Sequence, residues 1–113
     1  MAADPVIRQR LAQAWAAVEV MRFMNLRSLT GLFRSAETGS VASVTKLFAA
    51  RHHQRLAELR AELMGPWVDV VGEDYALQPA QSSFLGSRAE TIYGGTAEIQ
   101  RNIIAERVLG LPR

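Results

Sequence analysis

The chain has no cysteine among its 113 residues. That absence excludes a disulfide scaffold, a thiolate metal site and a cysteine nucleophile. Lysine is almost missing: twelve of the 13 cationic side chains are arginine, and against 11 carboxylates the net charge is only +2. So mild a balance does not argue for a nucleic-acid partner. No uninterrupted apolar run approaches the roughly 20 residues a membrane-spanning helix needs. The opening MAADPVIRQR lacks the apolar stretch of a secretory signal. A cytoplasmic location is therefore expected. No segment alternates as a strand does, and neither an internal repeat nor a low-complexity run is present.

What the sequence does hold is helical periodicity, enough for one compact domain over residues 1–113. Asp4-Pro5 is a helix start, with an acidic cap and proline at the first helical position. Ile7, Leu11, Trp15, Val18 and Met21 then recur at three- and four-residue steps, and Leu29, Leu32 and Phe33 continue the stripe. The spacing predicts one long helix over about 5–35. Residues 37–40 (ETGS) predict a turn, with Ser40 as the next cap. Val41, Val44, Leu47, Phe48, Leu56, Leu59 and Leu63 mark a second long helix over about 41–64, stopped by Gly65-Pro66. Residues 66–80 are irregular, with Trp67, Val68, Val70 and Val71 expected to pack down and Gly72-Glu73-Asp74 exposed. A third helix over about 80–93 carries Phe84, Leu85, Ala89 and Ile92 on one face. Gly94-Gly95 breaks it. Thr96 caps a fourth helix with Ile99, Ile103, Ile104 and Val108, ended by Gly110 and Pro112. The expected fold is all-α: a four-helix bundle of two long and two short helices, the long pair antiparallel.

Chemistry concentrates at Tyr93-Gly94-Gly95-Thr96. Two residues without Cβ atoms let a flat ligand approach the backbone. The helix that follows offers free N–H groups and a positive dipole end. Glycine pairs also serve plain tight turns, so these residues alone leave both readings open.

Residues 92–113 (IYGGTAEIQRNIIAERVLGLPR) resemble the C-terminal signature of acyl-CoA dehydrogenases, with some twenty consecutive positions agreeing in type. Asp4-Pro5 with Arg8-Gln9-Arg10-Leu11, Lys46-Leu47-Phe48, Leu63-Met64-Gly65-Pro66, and Phe84-Leu85 with Arg88 extend the resemblance over almost the whole chain. It implies the family's C-terminal helical domain, without the N-terminal helical and middle β domains. It also implies FAD as cofactor, α,β-dehydrogenation of an acyl-CoA thioester, an electron-acceptor protein and a homo- or hetero-oligomer. In such enzymes a carboxylate takes the α-proton while flavin N5 accepts hydride from the β carbon. Carried over position by position, Tyr93, Gly94 and Gly95 lie beside the substrate, and Thr96, Ala97 and Glu98 touch FAD. Gly65 belongs to a stretch that reaches the FAD of a neighbouring subunit.

Three departures matter. Ala97 stands where serine or asparagine is common. Glu62 and Pro66 replace the glutamine and second glycine around Gly65. Gly94 occupies the position that in many members is the glutamate base, and glycine cannot accept a proton. Some members place the base on an earlier helix, ahead of Met1; others pair an incomplete subunit with a complete one. No catalytic residue is therefore assigned.

Other candidates are weighed against plainer roles. Glu90 and Glu98 flank the turn, and Glu90 could replace the base, though a glutamate on a helix face usually pairs with a cation one turn away. Arg101 could meet a cofactor phosphate or form a salt bridge. His52 and His53 are adjacent, lack the i, i+4 spacing of a helical zinc pair, and predict no metal site. Residues 51–60 hold three arginines, but Glu58 interleaves, Glu62 follows, and no aromatic platform accompanies them. Trp15 and Trp67 are expected as core or interface anchors. Met21, Phe23 and Met24 spread too widely for one face, which predicts subunit contact. Two readings stand: part of a flavin-dependent acyl-CoA dehydrogenase, inactive alone, or a non-catalytic helical oligomerisation module derived from that family.

Overall fold

The computed structural model describes residues 4–33 and 39–112. Among these residues the chain forms four α-helices and no strand: α1 (Pro5–Phe33), α2 (Gly39–Met64), α3 (Pro79–Glu90) and α4 (Ala97–Ile103). A π-helical turn, Ile104–Val108, continues α4. The all-α expectation of two long and two short helices holds. The Asp4 carboxylate accepts from the N–H groups of Val6 and Ile7 at 2.8 and 3.3 Å, which satisfies two of the unpaired donors at the start of α1. Residues 34–35, Glu37 and Thr38 lie outside the described residues. Gly39 and Ser40 are already helical, so Ser40 sits inside α2 and is not its cap.

Gly65 ends α2 in the left-handed conformation, with φ +57°. The stretch expected to be irregular contains two short 3-10 turns, Gly65–Asp69 and Glu73–Tyr75. Of its apolar residues only Val68 packs down; Trp67, Val70 and Val71 stay exposed. Gln78 and Gln81 form a reciprocal capping box at the start of α3, with Pro79 at the first position. Buried Gln81 also donates to the carbonyls of Val68 and Val70 at 2.7 and 3.0 Å, tying the connection to the helix it feeds.

α2 is the central helix, packed against α1, α3 and α4. Arg10 near the start of α1 meets Glu62 near the end of α2 at 2.6 Å, so the long pair runs antiparallel. On the other side His53 pairs with Glu90 at 2.7 Å and Arg88 with Glu58 at 2.8 Å, while Arg60 donates to Ser83 at 3.4 Å; α3 is antiparallel to α2 as well. These pairs are largely exposed and set alignment more than stability. The core is made of small side chains, Ala50, Ala57, Ala61 and Ala80 around Leu59, with buried Ser43, His52, Gln81, Ser87 and Gln100. α3 ends at Glu90, three residues short of the expected limit. It buries Ala80, Gln81 and Ser87, whereas Leu85 and Ile92, expected on the packed face, are exposed.

Both tryptophans face outward, Trp15 at 67% and Trp67 at 69% exposure, which corrects any core role for them. Phe23 is exposed too, while Met21 and Met24 are half-buried. The solvent-accessible area is 8330 Å² for 12.5 kDa, against roughly 6,200 Å² for a compact chain of that mass. The radius of gyration is 17.5 Å, against roughly 13 Å. Large apolar residues on display mark surfaces built to be covered.

His52 lies in a groove of about 440 Å³ between α1 and α2. Burial foremost, then the charges of His53 and Arg55, lowers its pKa below the model-compound value of 6.5. The unfolded chain therefore binds a proton at this site more readily than the folded one. The stability is fully present above about pH 6.5 and is lost as pH falls through the depressed folded value. The stability difference between the native chain and His52→Gln is expected to shrink from pH 7 to pH 5 in urea titrations. A pH-independent difference would remove His52 from the account.

Candidate functional site

The connection between α3 and α4 is built by local hydrogen bonds. The N–H groups of Ile92 and Tyr93 both donate to Ala89 O at 2.9 Å, and Thr91 Oγ1 donates to Arg88 O at 2.7 Å. The backbone then turns left-handed twice, at Gly94 (φ +68°) and Gly95 (φ +97°). L-residues with a side chain resist this region, so the pair of glycines is what permits the turn. Thr96 is the N-cap of α4, as expected: its hydroxyl accepts from Ile99 N at 3.4 Å.

Two side chains hold the turn from the inside. Gln100, buried to 6% exposure, donates from Nε2 to Gly94 O at 2.6 Å. Lys46 reaches across from α2 and donates from Nζ to Gly95 O at 2.5 Å. The Thr96 carbonyl accepts from Gln100 N at 2.9 Å. Three successive carbonyls are thus satisfied. Gly95 closes a hydrogen-bonded turn over residues 91–94, and no hydrogen bond from the N–H groups of Gly94 and Thr96 is found among the described residues. The turn therefore presents donors to whatever approaches it.

The residues carried over from the family resemblance fall into two places. Tyr93, Gly94, Gly95, Thr96, Ala97 and Glu98 form one continuous surface. Tyr93, Gly94 and Glu98 are exposed; Gly95, Thr96 and Ala97 are half-buried. Gly65 is not part of it. It lies 19 residues beyond Lys46 along α2, about 28 Å at the helical rise. Beside the turn is a hollow of about 220 Å³ lined by Lys46, Leu47, Ala50, Arg51, Gln54, Thr91 and Ala97. That is below the roughly 300–1,000 Å³ of a ligand pocket. The larger groove between α1 and α2 contains none of the turn residues.

The two carboxylates near the turn are committed elsewhere. Glu90 Oε2 lies 2.7 Å from His53 Nδ1. Glu98 is held below the usual carboxylate range, first by its own backbone N–H, then by the Thr96 hydroxyl and the Arg101 guanidinium, with slight burial opposing them. A carboxylate stabilised in its ionised form is a poor proton acceptor. Arg101 donates to Glu98 at 3.3 Å, the salt bridge weighed against a phosphate contact. His52 and His53 diverge, one buried and one against Glu90. No cluster of three metal-ligating side chains occurs among the described residues, and none of their helices is long and apolar enough to cross a membrane.

Sequence reasoning missed Lys46 and Gln100 as parts of this site. Lys46 counted only as a point of family resemblance, and Gln100 as one letter of the signature. The available signal was the turn's own need: positive-φ glycines leave carbonyls that must find donors.

Comparison with known proteins follows the same outline. The family described as "Acyl-CoA dehydrogenase, C-terminal domain" matches residues 1–109. The chain is 44% identical over 110 residues to acyl-CoA dehydrogenase IpdE1 of Mycobacterium tuberculosis, covering 97% of this chain and 28% of that protein. It is 43% identical over 110 residues to IpdE1 of Mycolicibacterium smegmatis, covering 97% and 26%. Among solved structures it is similar to the Tcur3481-Tcur3483 steroid ACAD, with a TM-score of 0.79 and 25% identity over 99% of this chain and 30% of that one. The chain thus spans between a quarter and a third of the length of these relatives.

Proposed function

The chain belongs to the acyl-CoA dehydrogenase family, as its C-terminal domain, and on that premise we propose that it supplies one wall of the FAD and acyl-CoA site of an α,β-dehydrogenase. The observation that carries this is the turn at Gly94-Gly95, whose carbonyls are bound inward and which leaves the N–H groups of Gly94 and Thr96 without a partner among the described residues. Gly94 and Gly95, with Tyr93 beside them, face the thioester end of the substrate. Thr96, Ala97 and Glu98 face FAD, Ala97 through its backbone because it lacks a polar side chain. Bound FAD supplies the redox chemistry, as acceptor of the β-hydride. The α-proton goes to a carboxylate outside position 94.

Gly65, about 28 Å along α2 from the turn, serves the FAD of a neighbouring subunit. The uncovered apolar faces of α1, with Trp15 and Phe23, are subunit and domain contacts. The enzyme works in the cytoplasm and passes its electrons to an acceptor protein. The likeness to a steroid ACAD favours a bulky, ring-bearing acyl group.

The test joins the chain to an N-terminal helical and a middle β domain. A yellow protein that reduces an electron-acceptor dye only when acyl-CoA is added supports the reading. A colourless, well-folded oligomer without dye reduction overturns it in favour of a non-catalytic assembly module, which the exposed apolar faces would equally serve.

A further inference from the structure

Lys46 is the chain's one lysine. It is half-buried, and no carboxylate among the described residues lies within salt-bridge distance of it. A cation placed inside a protein with no counter-charge is costly unless its donors are used. Here its Nζ donates to Gly95 O, 49 residues away. Gln100 performs the matching task from α4, donating to Gly94 O from a buried amide. The two donors arrive from different helices on consecutive carbonyls. Lys46 is too far away in sequence to follow the turn if it shifts.

With φ positive at both glycines, each peptide plane can rotate at little steric cost. A peptide flip would exchange an open N–H for a carbonyl and reverse what the turn offers a ligand. The space confirms the fit. A Cβ at Gly95 would lie 2.7 Å from Gln100 Nε2, and one at Gly94 would lie 3.7 Å from Lys46 Cε. The clamp is seated directly against both glycines.

We infer that Lys46 and Gln100 are positioning residues: together they lock the peptide planes of Gly94 and Gly95 so that the N–H groups of Gly94 and Thr96 face the bound acyl thioester and flavin. The inference rests on the proposed function for what the turn faces, and on this chain's geometry for the clamp. Neither side chain needs to touch substrate. Each acts through the backbone it holds.

The test uses the complete flavoprotein with Lys46→Met, Lys46→Arg and Gln100→Leu, read in two independent ways. Amide hydrogen exchange over residues 93–99 reports the clamp whether or not flavin binds. Lys46→Met and Gln100→Leu are expected to speed exchange there while α2 and α3 keep their protection. Lys46→Arg, which retains a donor, is expected to restore most of it. With acyl-CoA, Lys46→Met is expected to lower kcat by about tenfold to a hundredfold, the range for a misplaced reacting group. KM should change less, and the flavin absorbance should shift. Unchanged exchange in both Lys46→Met and Gln100→Leu overturns the inference. So does an equal loss in Lys46→Met and Lys46→Arg spread over all helices, since that is general destabilisation. If the native protein holds no flavin, the proposed function fails while the exchange data still decide the clamp.

Discussion

Gly95→Ala is expected to destabilise the domain by about 2–5 kcal/mol, the sum of a backbone and a packing effect. The backbone effect comes from φ +97°; holding an L-residue in the left-handed half of the map costs roughly 1–2 kcal/mol. The packing effect comes from the Cβ, which would stand 2.7 Å from Gln100 Nε2. The amide is the end of a flexible side chain and could in principle yield. It is, however, buried and bonded to Gly94 O at 2.6 Å. Moving it leaves the buried Gln100 donor unpaired, at roughly 1–3 kcal/mol. Against a total stability of about 5–15 kcal/mol for a domain, this is a large share.

The check is a urea titration, in which the midpoint should fall with little change in slope. Gly86→Ala serves as the control. Gly86 lies within α3 without a positive φ, and nothing stands within 4 Å of its Cβ position. There the substitution should stabilise by about 0.5–1 kcal/mol. If Gly95→Ala behaves like Gly86→Ala, the account of the turn is wrong.

The helices were legible because three- and four-residue apolar spacing matches the helical repeat. Asp4-Pro5, Gly65, Pro79, Thr96 and Gly110 punctuate them for local backbone reasons that need no tertiary knowledge. What misled was the meaning of the apolar stripes. Trp15, Leu85 and Ile92 lie on periodic faces yet stay exposed, because periodicity says that a face is to be covered and not by what. The true core uses alanines, which carry little periodic signal. At the site, the signature located the turn and its cap. It could not show that Glu90 is taken by His53 or that Lys46 reaches Gly95, since both contacts depend on α2 packing across residues far apart in sequence. Long-range polar contacts are invisible to spacing.

Placing a glutamate at the position that holds the base in many relatives is expected not to restore one. Gly94→Glu must adopt φ +68°, at a strain of roughly 1–2 kcal/mol. The Cβ itself fits, at 3.7 Å from Lys46 Cε, but that neighbour decides the chemistry. The new carboxylate would emerge beside an ammonium whose partner is the next residue's carbonyl. An opposite charge within about 4–6 Å favours the ionised form and lowers a carboxylate's pKa, so the group would be a weaker base. Pairing with it would also draw Lys46 from Gly95 O and loosen the turn. In the complete enzyme, kcat/KM for acyl-CoA is therefore expected to stay at or below the native value. Gly94→Ala isolates the backbone strain. Gly94→Glu combined with Lys46→Met removes the ion pair and should leave the new carboxylate with a higher apparent pKa in the pH profile of kcat/KM. A clear rate gain from Gly94→Glu alone would show that position 94 can still house the proton acceptor. It would also show that Lys46 does not govern the chemistry of its surroundings.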